Sequence, residues 1–177
     1  MKSFTNKLSP QDAQSRLDTP APRSWILLTF FISYVVMLAE AGFDALWLPD
    51  VLALTLIFWC IRRPQIVGML IAFLCGILMD VAHGSVLGQQ SLAYVVIAYL
   101  AYLLHRRLPW FGLIGQALHV LPLLLLSQLL VMLARLWFDG LWPGWSWFLQ
   151  SLTGALLWPL WSMLLSMRRE QSSRESF

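Results

Sequence analysis

Charged residues are scarce in this chain: they make up 12% of its 177 residues, against 59% hydrophobic ones. Too few polar groups remain to coat a water-soluble globule, so a membrane protein is expected. Cysteine is rarer still. Cys60 and Cys75 are the only two, and both lie inside apolar runs, which argues against a disulfide and offers no metal-ligand spacing. Catalytic patterns are also missing. The sequence has no GxSxG, no HExxH, no CxxC pair and no glycine loop suited to cradling phosphate. His83, His105 and His119 fall outside, inside and at mid-membrane respectively, so they cannot share a site. A non-enzyme without metal or cofactor is the expectation. No internal repeat appears, so nothing points to an inverted-repeat transporter. The first 23 residues carry Lys2, Lys7, Arg16, Arg23 and three prolines. They have no short apolar core ahead of a cleavage site, which suits a disordered cytoplasmic tail and not a signal peptide.

What the chain does have is long apolar runs, at roughly 24–43, 47–61, 65–82, 90–104, 109–134 and 147–166. A helix needs about 20 residues to cross a hydrocarbon core of ~30 Å at 1.5 Å per residue. Six transmembrane helices are therefore expected across a single domain, 24–169, with a second short cytoplasmic tail at 170–177. The fifth run is the clearest: Leu108 to Ala134 spans 27 residues without an Asp, Glu, Lys or Arg. The second and fourth are short. A five-helix count with the second run half-inserted is the competing reading.

Basic residues orient the bundle. Arg62-Arg63, Arg106-Arg107 and Arg168-Arg169 each close a hydrophobic run, and Lys/Arg-rich loops stay cytoplasmic. With the tails included, eleven of the twelve Lys and Arg residues fall on one side. Arg135 is the exception, so both termini are expected inside. The net charge of +3 is spread over run ends instead of one face, which fits anionic lipid headgroups better than nucleic acid. Trp137, Trp142, Trp145 and Trp147 crowd the last outer loop, as indoles do at a membrane interface.

Polar groups inside apolar runs are functional candidates. Glu40 and Asp80 lie ~24 Å along their helices at 1.5 Å per residue, near the outer interface with Asp44 and Asp50. Contact with outer headgroups and water is the bland reading, favoured for Asp44. Asp80 belongs to a denser pattern, with Gly68, Ala72, Gly76, Gly84 and Gly88 all at intervals of four. Small residues so spaced form a ridge for close helix contact, and Gly84 and Gly88 permit a tight turn. As a buried acceptor there, Asp80 is expected to be essential: Asp80→Asn should accumulate normally yet fail to support function. Gln116 and His119 in the fifth run, and Gln150, Thr153 and Gly154 in the sixth, form polar or small faces beside kink-forming Pro122 and Pro159. Interhelical hydrogen bonding and a lined cavity both remain open for them.

These residues carry a resemblance. Pro49-Asp50, then Arg62-Arg63-Pro64, then Gly76, Asp80, Gly84, Leu87, Gly88 and Gln89, then Leu92, Ala93 and Tyr94 are similar to the rod shape-determining MreD family. Ser151, Gly154 and Pro159 resemble that family's last helix, and the likeness covers about residues 24–169. It implies an inner-membrane component of the machinery that builds the cylindrical cell wall by peptidoglycan synthesis. The implied partners are an MreC-like bitopic protein, an MreB-like filament, a RodA-type glycosyltransferase and a penicillin-binding protein. The implied fold is similar to the S components of energy-coupling-factor transporters, an all-α six-helix bundle with an outward cavity.

Two functions stand at this point. One is a non-enzymatic scaffold whose ridge and kinked helices pack against partner helices. The other is an S-component-like protein in which Asp50, Asp80 and the polar faces bind or transport a small molecule or lipid precursor. The paucity of groups to neutralise the outer carboxylates favours the scaffold.

Overall fold

From Val51 to Ile61 every side chain is buried, although most of this stretch is as apolar as any lipid-facing helix. A helix hydrophobic all round must be enclosed on all sides, and here protein does the enclosing. In this computed structural model the described residues are 23–40, 48–108, 111–138, 140, 142 and 144–171. Side chains are described as far as 39 in the first helix and 166 in the last. Glu40 as a side chain, Asp44, and the side chains of Arg168 and Arg169 thus lie outside the described residues.

Six α-helices occur, with no strand among the described residues. They are α1 Arg23–Glu40, α2 Val51–Arg62, α3 Met69–His83, α4 Gln89–Leu104, α5 Leu113–Phe138 and α6 Leu149–Gln171, the last preceded by a 3₁₀ turn, Trp145–Phe148. One helix falls in each expected run. The edges shift: α2 starts at Val51 and not near 47, while α6 continues to Gln171, past the expected domain edge. Among the described residues two spans, Leu113–Phe138 and Trp145–Ser166, are long and apolar enough to cross a membrane. The other four helices are shorter and apolar.

Local chemistry explains the short ones. Asp50 caps α2 by accepting from the Ala53 amide at 2.8 Å, which satisfies a donor the helix start leaves free. Pro64 follows Arg63, whose own amide reaches back to the Trp59 carbonyl, and proline disfavours helix in the residue before it. The end of α3 is a Schellman turn. Gly84 is left-handed at φ +61°, its amide bonds Val81 O, and the Ser85 amide bonds Asp80 O. Glycine takes that φ at little steric cost.

Packing places α2 at the centre, in contact with α1, α4 and α6, while α3 lies on α4 and α5 bridges α4 and α6. Large apolar side chains coat the outside: Phe31 is 65% exposed, Leu70 73%, Ile114 85% and Leu156 70%. So much apolar surface outside a buried core suits lipid, not water.

A polar network that the sequence reading missed ties α1, α2 and α6. Trp59 Nε1 donates to Thr29 Oγ1 at 2.9 Å, and Thr55 Oγ1 accepts from Trp161 Nε1 at 3.0 Å. The Ser33 and Thr55 hydroxyls lie 2.7 Å apart. Thr29, Ser33 and Thr55 are all buried. The i, i+4 spacing of Thr29 with Ser33 and of Thr55 with Trp59 was the available signal. Thr55→Val keeps the shape but strands the Trp161 indole donor, at a cost of about 1–3 kcal/mol for a buried group left unsatisfied, while Ser33 keeps the Thr29 carbonyl as its acceptor at 2.8 Å. The thermal midpoint of detergent-solubilised Thr55→Val should fall clearly, while Thr55→Ser, which keeps the hydroxyl, stays near wild type.

Candidate functional site

The end of the bundle formed by the start of α2, the end of α3 and the start of α4 holds the acidic residues. Asp80 is 1% exposed, yet its carboxylate is not bare. Four donors converge on it: the Gly88 and Gln90 amides, each at 2.8 Å, the Ser85 hydroxyl at 3.1 Å and the Ser91 hydroxyl at 3.2 Å. All four come from the turn 84–88 and the first turn of α4. Gly88, at φ +102°, aims its amide at Asp80 from a conformation that suits glycine. A carboxylate offers about four acceptor positions, and the hairpin fills them. Asp80 therefore holds α3, the turn and α4 as one unit.

Four residues earlier, Gly76 makes that unit tight. A Cβ added there would lie 2.2 Å from Ser91 Cα and 2.6 Å from Ser91 N, so helix backbone touches helix backbone. Elsewhere the ridge differs from expectation. Gly68 is exposed with nothing within 4 Å of an added Cβ, because it sits at the start of α3 and not along its contact face.

Asp50 joins the same end. Besides capping α2, it accepts the Tyr94 hydroxyl at 2.8 Å on Oδ2 and 3.0 Å on Oδ1. Tyr94 is wholly buried, so this pair fixes α2 against α4. Gln89, also buried, donates from Nε2 to the Val131 carbonyl at 3.3 Å and so fixes α4 against α5. Between α5 and α6, Gln128 Nε2 donates to Gln150 Oε1 at 3.0 Å, and Ser151 donates to Gln128 Oε1. Thr153 donates to the Gln150 carbonyl at 3.0 Å, within its own helix. Gly154 lets Leu124 approach, an added Cβ falling 2.9 Å from Leu124 Cδ1.

Gln116 and His119 stand apart from this cluster. Gln116 Nε2 donates to the Phe111 carbonyl at 3.0 Å, and His119 Nδ1 lies 2.8 Å from the Gly115 carbonyl with its ring against Phe111. They are near the opposite end of α5. His119 precedes Gln128 by nine residues, ~13 Å at helical rise. The residue that meets the polar face of α6 is Gln128, which the sequence reading passed over. Tyr94 and Ser151 were quoted there only for the resemblance, and Ser85 and Ser91 were given no role. Of the basic doublets, Arg62, Arg106 and Arg107 are exposed and Arg63 half-buried. The Arg62 guanidinium lies 5.3 Å from the Phe58 ring centre.

Chemically the arrangement is a set of locks between helices, with the acidic oxygens facing donors of the same bundle. The profile of the family described as rod shape-determining protein MreD matches residues 21–168. The rod shape-determining protein MreD of Haemophilus influenzae is 33% identical over 146 residues, which cover 79% of this chain and 86% of that protein. No solved structure matches. Since the match runs from the first helix through the Asp50 and Asp80 locks into the last, this chain belongs to the MreD family of rod shape-determining membrane proteins.

Proposed function

We propose that the chain is a non-enzymatic scaffold of the rod-elongation complex in the bacterial inner membrane. It would organise peptidoglycan synthesis by holding partner proteins, with no turnover of its own. The observation that carries this reading is the occupancy of the outer carboxylates. Asp80 is saturated by four donors, and Asp50, half-buried, is engaged by Ala53 and Tyr94, so both act on the protein itself. Rigid packing of this kind gives neighbours a fixed surface. The partners proposed are the MreC-like bitopic protein, the MreB-like filament, the RodA-type glycosyltransferase and its penicillin-binding protein.

The membrane arrangement belongs to the same proposal: six spans, both termini cytoplasmic, and an S-component-like bundle over 24–169 with tails at 1–23 and 170–177. The short α2 needs little lipid contact because α1, α4 and α6 surround it. The arginine asymmetry supports the orientation. A reporter active only in the cytoplasm should work when fused after Arg169 and stay silent when inserted at Val86. Activity at Val86 would overturn the topology.

Recovery of the tagged chain from mildly solubilised native membranes tests the scaffold. The expected result is co-recovery of the bitopic and glycosyltransferase partners, with no stoichiometric small molecule other than membrane phospholipid by mass spectrometry. A bound molecule that is not a bilayer phospholipid, at one copy per chain and without partners, would favour the S-component-like binding function instead.

A further inference from the structure

Arg135 is the one Lys or Arg between Arg107 and Arg168. It sits in the last turn of the 26-residue α5, half-buried, with its guanidinium carbon 4.5 Å from the Trp147 ring centre. That distance is a cation–π contact, and it holds the head of a long, flexible side chain in place. The Trp147 indole N–H, closed to solvent, has no hydrogen-bond partner among the described residues. Donors thus accumulate here, and among the described residues no carboxylate pairs with Arg135. Around them Trp137 is 85% exposed, Trp145 80% and Trp142 50%. Exposed indoles mark the level of lipid headgroups, and α5 and the Trp145–Ser166 segment are each long and apolar enough to cross a bilayer.

We propose that Arg135, braced on Trp147, binds the phosphate of an anionic phospholipid at this interface. Guanidinium presents paired N–H donors that match two phosphate oxygens, which a lysine ammonium does not. The neighbouring indoles cover the glycerol and upper acyl region. The inference rests on the proposed embedding of α5 and α6 in the membrane, but not on which leaflet faces this end.

The test uses the full chain purified in detergent, titrated with phosphatidylglycerol or with phosphatidylcholine of the same acyl chains, retained lipids being counted by native mass spectrometry. Wild type should hold one phosphatidylglycerol that Arg135→Gln binds about tenfold more weakly, the scale of one charge-assisted contact. Phosphatidylcholine retention should not change. Arg135→Lys should lie between the two and guards against misfolding of the glutamine variant. An Arg106→Gln/Arg107→Gln variant, altered at the opposite end, should keep this lipid. Asp139→Asn should bind it as well or better, and loss there would overturn direct phosphate recognition. Equal retention of both lipids by wild type would overturn the selection of an anionic lipid, and undiminished phosphatidylglycerol binding in Arg135→Gln would overturn the role of Arg135. Failure to retain any lipid or to partition into vesicles would instead sink the membrane embedding of α5 and α6.

Discussion

Asp80→Asn should lower the unfolding midpoint of the purified protein sharply and reduce its accumulation in membranes. The carboxylate accepts from two backbone amides at 2.8 Å and from two serine hydroxyls. Asparagine has one acceptor oxygen, so two of these bonds go, and its NH₂ is forced towards a donor. At about 1.5–3 kcal/mol per hydrogen bond to a charged group, the gross loss is about 3–6 kcal/mol. Relief from burying a charge offsets part of it, leaving a net effect of about 3 kcal/mol, large beside the 5–15 kcal/mol that holds most domains folded. This revises the expectation of normal accumulation with lost function: a residue whose partners among the described residues all lie in its own hairpin acts first on stability. Amide hydrogen exchange at Gly88 and Gln90 should quicken in the same variant. Ser85→Ala, which removes one bond, should fall between. An unchanged midpoint with unchanged exchange would show that the Asp80 lock contributes little.

Gly76→Ala should be as damaging or worse, for a steric reason. The new Cβ would stand 2.2 Å from Ser91 Cα, and backbone cannot rotate away as a side chain can. The α3–α4 pair would have to part by an ångström or so, dragging Ser91 from Asp80. Alanine's better helix propensity, worth about 1 kcal/mol over glycine, cannot compensate for an overpacked helix contact. Gly154→Ala should cost less, because its obstacle at 2.9 Å is the Leu124 methyl end, which has other rotamers. Gly68→Ala should be close to neutral, with open space around it. Midpoints of the three variants in detergent should rank 68, 154, 76 from mildest to most severe. A wild-type midpoint for Gly76→Ala would refute the close backbone contact.

Much of the helix layout was legible in the chain. Apolar runs bounded by arginine doublets and by Gly84 and Gly88 located all six helices, and the four-residue spacing through Gly76 and Asp80 marked the tightest helix pair. The spacing could not tell which members of the ridge touch a neighbour. Gly68 and Gly76 look alike in sequence, but one is at the start of a helix and the other against Ser91. Polar partners were less legible still. Gln116 and His119 read as a polar face open to interhelical hydrogen bonding or to a lined cavity, yet each bonds a carbonyl within a few residues of itself. Gln128, set in a run of leucines, gave no local sign that Gln150 and Ser151 would meet it.

By itself the sequence determined that this is an apolar helical protein with its basic residues segregated, and it carried the family likeness. Hydropathy, length and charge asymmetry are properties of each segment alone, so they survive without coordinates. Only the tertiary structure decided that α2 is sheathed in protein and that Asp50 and Asp80 face donors of their own bundle. The reason is physical. Lipid and a neighbouring helix are equally apolar to a leucine or an isoleucine, so a hydrophobic run does not say which will cover it. A carboxylate's role, in turn, depends on donors brought together from positions up to 44 residues away, a proximity created by folding.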